Sequence, residues 1–372
     1  MTKNNLAGNG RLLSLDALRG FDMMFIMGLS GIIVSICSLF PDGDTSWLAT
    51  QMSHVKWEGF HHHDTIFALF LFISGMTFPF SSAKKLEKGL SKGDITREVL
   101  KRACILFFLG LVYQGFFHFH FATLRIMSVL GRIGIAWALA AIIYCYTGRK
   151  TQYGIAAGIL IGYFLLLKFT IAPDAPAGAD SMSKMGNISY YIDRIILGNH
   201  AYKPYGDPEG LVSTIPAIVT ALLGMFTGRY VKESDDGGEK KTLKLLGAAV
   251  VTGVAAALWS IWFPVIKNLW TSTFVLATAS YSLAVFAIFY YIIDVKGWRK
   301  GVIFFQVVGM NSITIYLAQA FIDFQKIGDF FLSGVAELVP EVFGAVILRI
   351  GYFTAAWLML YFMYKKNVFL KV

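Results

Sequence analysis

Ten stretches of this chain are each apolar enough, and long enough at roughly 17–25 residues, to cross a hydrocarbon core of about 30 Å as a helix. Their approximate limits are 21–40, 63–82, 103–121, 126–147, 152–171, 211–229, 245–264, 270–293, 302–322 and 343–364. Nothing else constrains the fold as much, because a segment in lipid must satisfy its own backbone hydrogen bonds and a continuous apolar run does so as a helix. The strands of a membrane barrel would alternate polar and apolar residues over about ten positions, a pattern these runs lack. The expected fold is all-α, a polytopic membrane bundle of about ten helices. The apolar fraction of 56% and mean hydropathy of +0.60 agree with it. No short apolar core with a small-residue cleavage site precedes the first run, so that run is expected to be retained.

Orientation follows from the basic residues, which short cytoplasmic loops accumulate. With the N-terminus inside, 23 of the 33 lysines and arginines fall on inner segments, from Lys3, Arg11 and Arg19 to Lys365, Lys366 and Lys371. Ten crossings then place both termini in the cytoplasm. The net charge of +10 is accounted for by this topology and by anionic lipid, and it does not call for nucleic acid. Cys37, Cys104 and Cys145 fall within separate runs with no metal-ligand spacing and read as buried apolar residues.

The chain reads as one transmembrane domain, 1–372, without a separate soluble domain. The long outer loop, 172–210, carries Pro173, Pro176 and a short helix expected at Ser189–Leu197, and connections of this length are often functional. A second outer segment, Phe324 to Val342, is expected to dip into the interface. Lys232–Lys241 reads as a solvated linker.

Polar residues segregate on this topology. All seven histidines fall on the outer side, in the company of Arg125, Asp207, Glu209, Lys267, Asn268 and Trp270. The run from His54 to Asp64 puts imidazoles, the Trp57 indole and a carboxylate at a membrane surface, where histidine can take and give a proton near neutrality. Arg132 lies about two turns inside the fourth run, where exposure to lipid would cost roughly 2.5–3.5 kcal/mol, so it should face the bundle interior. An outward-facing polar cavity accounts for the set. Bland readings stand beside it: Trp57, Trp262 and Trp270 as interfacial aromatics, His61–His63 as a solvated helix start, and Asp22 as a buried partner for an arginine or hydroxyl. Consecutive histidines cannot share one helix face, and no metal site is assigned.

Seven short elements run in order along nearly the whole chain: Ser14-Leu15-Asp16-Ala17-Leu18-Arg19-Gly20; His54 with Trp57, Gly59 and Asp64; Leu124-Arg125-Ile126 with Val129-Leu130 and Arg132; Tyr191-Ile192-Asp193-Arg194; Asp207-Pro208-Glu209-Gly210; Lys267-Asn268-Leu269-Trp270; and Met310-Asn311-Ser312. On these the chain resembles the heparan-α-glucosaminide N-acetyltransferase family, as a bacterial-type member of the transmembrane acyltransferase group. The resemblance implies acetyl transfer from cytoplasmic acetyl-CoA to an amino sugar or glycan on the outer, periplasmic side of a bacterial inner membrane. It puts the catalytic histidine on His54 and its accompanying aspartate on Asp64. Three departures bear on the acceptor: the lysosomal members' extra N-terminal luminal region and span has no counterpart, Ser30 stands where they carry Asn, and Gly131 where they often carry Gln.

Acyl transfer needs a base, donors for the oxyanion and alignment of the reactants. His54 is the candidate base or transient acyl carrier, and Asp64 can orient it if the intervening ten residues fold back. Arg125, Arg132, Lys267 and Asn268 are candidates for the oxyanion, the pantetheine amides or the sugar. Trp57 and Trp270 offer faces for a pyranose ring, and Asp207 and Glu209 suit sugar hydroxyls or the acceptor amine. Basic inner loops would attract the phosphates of CoA, although no Gly-rich phosphate motif is visible and the nucleotide site is unassigned. Two other classes stay open: a secondary transporter using Asp22, Arg132 and Asp64, and a non-catalytic membrane component. Homodimerisation, N- against O-acetylation, and direct transfer against an acetyl-histidine are also left open.

Overall fold

A computed structural model describes residues 12–370, so Lys3, Arg11 and Lys371 of the basic-residue count lie outside it. The membrane runs of the described chain are largely helical. The helices are α1 Leu13–Cys37, α2 His62–Glu87, α3 Lys92–Tyr113, α4 Val129–Tyr146, α5 Arg149–Phe169, α6 Ile188–Ile196, α7 Thr214–Glu233, α8 Gly238–Ser260, α9 Ser272–Val295, α10 Val302–Met310, α11 Ser312–Phe321, α12 Phe324–Ala336 and α13 Glu341–Lys365. Eight of them pass for membrane spans by length and composition, and α10 with α11, bent by 66° at Asn311, makes a ninth.

The tenth expected crossing is α3, and here the sequence boundary is corrected. The helix starts at Lys92, eleven residues before the expected limit, and ends at Tyr113. Its first half is too charged to count as apolar, and residues 114–121 leave the helix with Phe117, Phe119 and Phe121 exposed. Its 22 residues still reach about 33 Å at 1.5 Å per residue. It must cross, because α2 and α4 on either side of it in sequence run in the same direction. Arg132 lies 6.0 Å over Phe67, Trp137 Nε1 donates to the Ser74 carbonyl at 3.2 Å, and the Tyr144 ring meets Phe78 at 5.7 Å. The two ends of the described residues meet on one face, where Leu12 and Leu370 line one cavity, as an even number of crossings requires.

Local chemistry sets the helix starts. Ser91 and Asp94 form a reciprocal capping box on α3, Ser128 accepts from Gly131 N at 3.0 Å on α4, and Asn187 accepts from Ser189 N at 2.9 Å on α6. The short outer helix thus begins one residue before the expected Ser189. The inner linker is shorter than Lys232–Lys241, since α7 runs to Glu233 and α8 begins at Gly238. The second outer segment is helical over α12, which packs along α13 through Gly328 against Gly351. Of the cysteines only Cys37 is buried; Cys104 is exposed on α3 and Cys145 is half-buried.

The centre of the bundle is the pair α2 and α7. Their backbones meet through small residues, as membrane helices do when packing rather than hydrophobicity must hold them. A Cβ on Gly75 would collide with the Ala221 carbonyl, one on Gly224 with the Phe72 carbonyl, and one on Gly228 with the Met76 carbonyl. Gly224→Val should therefore destabilise the protein by about 1–3 kcal/mol or more, seen as a lower melting temperature and folded yield in detergent. Gly158→Val, on a face of α5 where a Cβ meets nothing within 4 Å, should leave both in place.

Candidate active site

The segment between α1 and α2 folds back so that His54 meets Asp64. His54 Nδ1 lies 2.8 Å from Asp64 Oδ1, while Asp64 Oδ2 accepts from Val55 N at 3.3 Å and His61 N at 3.2 Å. Asp64 sits in the first turn of α2, where free amides favour negative charge, and it is 1% exposed. Lys267, from the turn before α9, adds its ammonium 2.9 Å from His54 Nδ1, 3.3 Å from Nε2 and 3.4 Å from Asp64 Oδ1. One carboxylate thus serves an imidazole and an ammonium. Burial pulls the Lys267 pKa below its ordinary value, against the opposing pull of Asp64 and Glu209. A carboxylate beside Nδ1 favours the tautomer with Nδ1–H directed at it, which would leave the lone pair on Nε2, and the His54 side chain is 54% exposed.

A second cluster stands beside it. The Arg125 guanidinium donates Nε to Asp207 Oδ2 at 2.9 Å and Nη2 to Asp207 Oδ1 at 2.6 Å, and it also pairs with Glu209. Burial opposes its charge, but Asp207 and Glu209 more than offset this and drive its pKa upward. Asp207 is wholly buried and also accepts from Tyr202 N and Glu209 N. Its oxygens are therefore committed to holding Arg125 and the loop. Expected as a sugar ligand, Asp207 has no surface on which to meet one, whereas Glu209 stays within electrostatic reach of Lys267.

Arg132 does face the interior. It donates to the Pro208 carbonyl at 2.7 Å and to Ser213 Oγ, and it lies 5.0 Å over the Trp270 ring. Trp270, expected as a platform for a pyranose, is only 1% exposed: Phe67, Phe274 and Arg132 cover it, and its Nε1 donates to Thr220 Oγ1 at 3.1 Å. Its φ of 50° is a left-handed conformation that a bulky residue rarely adopts, held here by the packed ring at the end of the turn that presents Lys267 and the half-buried Asn268. Trp57 is half-buried, pinned by Nε1 to the Met182 carbonyl at 2.9 Å with its ring against Tyr190, and it keeps a face toward Lys184.

The histidines read from sequence as a solvated helix start are drawn partly into the site. The His63 ring lies 4.4 Å from the His54 ring, tilted by 59°, and bonds Ser30 Oγ at 3.2 Å, while His62 turns inward against Phe25. Only folding separates three adjacent histidines into different environments. Among the described residues no cluster of three His, Cys, Asp or Glu side chains is disposed to hold a metal. Asp22 is buried with Oδ2 unpaired, so that oxygen lacks the partner expected for it.

Beneath the site, two cavities follow one another along α2. The larger, about 570 Å³, is lined along α2 by Lys84, Ser81, Thr77, Ser74 and Phe70, and across from it by Asp16, Arg19 and Arg102. The smaller, about 40 Å³ and apolar, shares Phe70, Ser312 and Ile313 with it and continues past Phe67 and Ile66 to Tyr316. Ile66 is two residues from Asp64. The two cavities share a wall at Phe70, Ser312 and Ile313, the larger lying toward the end of α2 opposite His54 and the smaller reaching Ile66.

The outer-loop aspartate Asp193 is fully buried, accepting from Leu211 N at 2.9 Å through Oδ1 while Oδ2 is unpaired. Burial pushes its pKa up to about 6 from the ordinary 3.8. An acid so shifted binds more protons folded than unfolded between those values, so its contribution makes stability fall as pH rises from 3.8 to about 6, with no further change above. The size is about 3 kcal/mol, from roughly two units at 1.36 kcal/mol each. Asp193→Asn keeps the acceptor for Leu211, and relative to wild type its melting temperature should gain progressively across that window. A constant difference between the two proteins at all pH values would remove this role.

No protein-family model matches the chain. It is 24% identical over 421 aligned residues to the heparan-alpha-glucosaminide N-acetyltransferase of Homo sapiens and 25% identical over 421 to that of Mus musculus, covering 97% of this chain and 60% of each relative. The chain thus spans about 60% of the length of the curated relatives it matches. An all-helical membrane bundle aligned over nearly its full length with these proteins is a distant relative of the heparan-alpha-glucosaminide N-acetyltransferases.

Proposed function

We propose that the protein is a transmembrane acetyltransferase, carrying an acetyl group from cytoplasmic acetyl-CoA to an amino sugar or glycan on the outer, periplasmic side of a bacterial inner membrane. The observation that carries this reading is the His54, Asp64 and Lys267 constellation standing over a route that begins in a basic vestibule. Arg19, Lys84 and Arg102 there suit the phosphates of CoA, and the apolar cavity beyond suits the pantetheine arm. A cavity of about 40 Å³ is too small to hold that arm, so the helices that line it must part to deliver the thioester.

In the transfer, the acceptor nitrogen attacks the thioester carbonyl carbon while His54 Nε2 takes its proton. The N–C bond forms, the C–S bond breaks, and the departing thiolate takes a proton as free CoA. Asp64 fixes the His54 tautomer and stabilises the imidazolium. Lys267 is the nearest cation for the oxyanion, and burial strengthens its field there. Glu209 attracts the acceptor amine, while Arg125, held by Asp207, sets Glu209 in place. Trp57 supplies the half-exposed aromatic face.

His54→Ala should leave folding intact and lower transfer by about 10²–10⁴, the usual worth of a general base. Retention of most activity would remove His54 from the mechanism, and a labile acetyl mass on the His54 peptide with acetyl-CoA alone would make it a carrier instead. Sidedness is checked with single cysteines: those at Lys92 and Asp236 should label only from the cytoplasm, and one at Asp180 only from outside. Acceptor accumulation in proteoliposomes lacking acetyl-CoA would replace the enzyme with a transporter.

A further inference from the structure

The helix break at Asn311 has a second occupant. Asn311 leaves helical geometry (φ −124°, ψ 32°) between α10 and α11, and it is 1% exposed. A buried amide must find partners for both its N–H and its carbonyl groups. Asn311 Nδ2 donates to the Val368 carbonyl at 3.2 Å, and Oδ1 accepts from Leu370 N at 3.3 Å. This two-point grip on alternate backbone groups needs the chain to return beneath the bundle, and the end of α13 makes it do so. Asn367 takes a left-handed φ of 54°, and Val368 N reaches back to the Met363 carbonyl at 2.9 Å. Leu370 is thereby set into the wall of the 570 Å³ vestibule, beside Met310 and Ser312 and in the same lining as Arg19, Lys84 and Arg102.

We propose that Asn311 is a positioning residue for the donor: it clasps segment 367–370 so that Leu370 closes one side of the vestibule and supplies an apolar wall for the pantetheine arm. The inference rests on the vestibule being the donor route. Its physical basis is that an apolar arm gains from a site only if the wall is already in place when it arrives, and four residues beyond a helix end are not held there by packing alone.

Two readouts separate this from the reading it rests on. In a background with Cys37, Cys104 and Cys145 replaced by alanine, a Thr77→Cys probe in the vestibule should react with a small water-soluble thiol reagent about fivefold faster or more when Asn311→Ala is added, because opening free energies scale with the contacts that hold a segment shut. In the enzyme, Asn311→Ala should raise the acetyl-CoA KM by about fivefold or more, with a smaller change in kcat and none in the acceptor KM. Leu370→Ala should raise the donor KM in the same way, and Leu370→Met should restore most of it. Unchanged labelling overturns the clasp whatever the kinetics. Faster labelling with an unchanged donor KM keeps the clasp and overturns its role toward the donor, together with the donor route. Should Asn311→Ala fail to fold, the Leu370 pair decides the matter alone.

Discussion

The buried carboxylate of Asp64 is the interaction on which the rest of the site depends. It receives the His54 ring, the amides of Val55 and His61, and the Lys267 ammonium, and it lies in the first turn of α2. A carboxylate this enclosed is tolerable only when its acceptor sites are filled, and filling them fixes everything that does so. The amides fold the 54–61 segment back onto the helix, the imidazole takes a single tautomer, and Lys267 ties the start of α9 to the start of α2. Two stretches of sequence about two hundred residues apart, 54–64 and the turn at Lys267, converge because one charge must not be left unpaired.

Around it, the other charged groups are engaged within the protein rather than presented to solvent, Arg125 by opposite charges and Arg132 and Asp193 by neutral partners. Arg125 is held by Asp207 and Glu209, Arg132 by Pro208, Ser213 and the Trp270 ring, and Asp193 by Leu211. Breaking a buried pair by removing one partner costs about 3–5 kcal/mol, so these groups behave as a frame. A fixed frame under the half-exposed His54 imidazole suits chemistry at one position. It suits less well a transporter, in which charges along a pathway would exchange partners as the bundle rocks.

The vestibule gives the helical bundle a purpose that a scaffold alone would not need. In the proposed transfer donor and acceptor come from opposite sides, and the bundle would then have to admit an arm without admitting water or ions. An apolar neck between a basic chamber and a polar site meets that demand, and the break between α10 and α11 supplies the irregular backbone that only a cavity wall can tolerate at membrane depth.

Much of this was legible in the residues. Apolar length alone determined the helical bundle, since lipid offers no partner for a free amide, and the basic residues pointed to one orientation of it. The order of His54, Asp64, Arg125, Arg132 and Lys267 pointed to one polar site. The boundary of α3 was misread because apolarity marks the part of a helix that meets lipid, while Lys92–Arg102 is helical and charged. Trp270 could not be told from an exposed aromatic, nor Asp207 from a ligand, because burial is decided by neighbours far along the chain. Likewise, three consecutive histidines have one sequence context and three environments. Side-chain type and spacing are local properties and survive in the sequence; which groups spend their hydrogen bonds on each other, and which keep them for a substrate, is a property of contacts between distant segments and exists only in the folded chain.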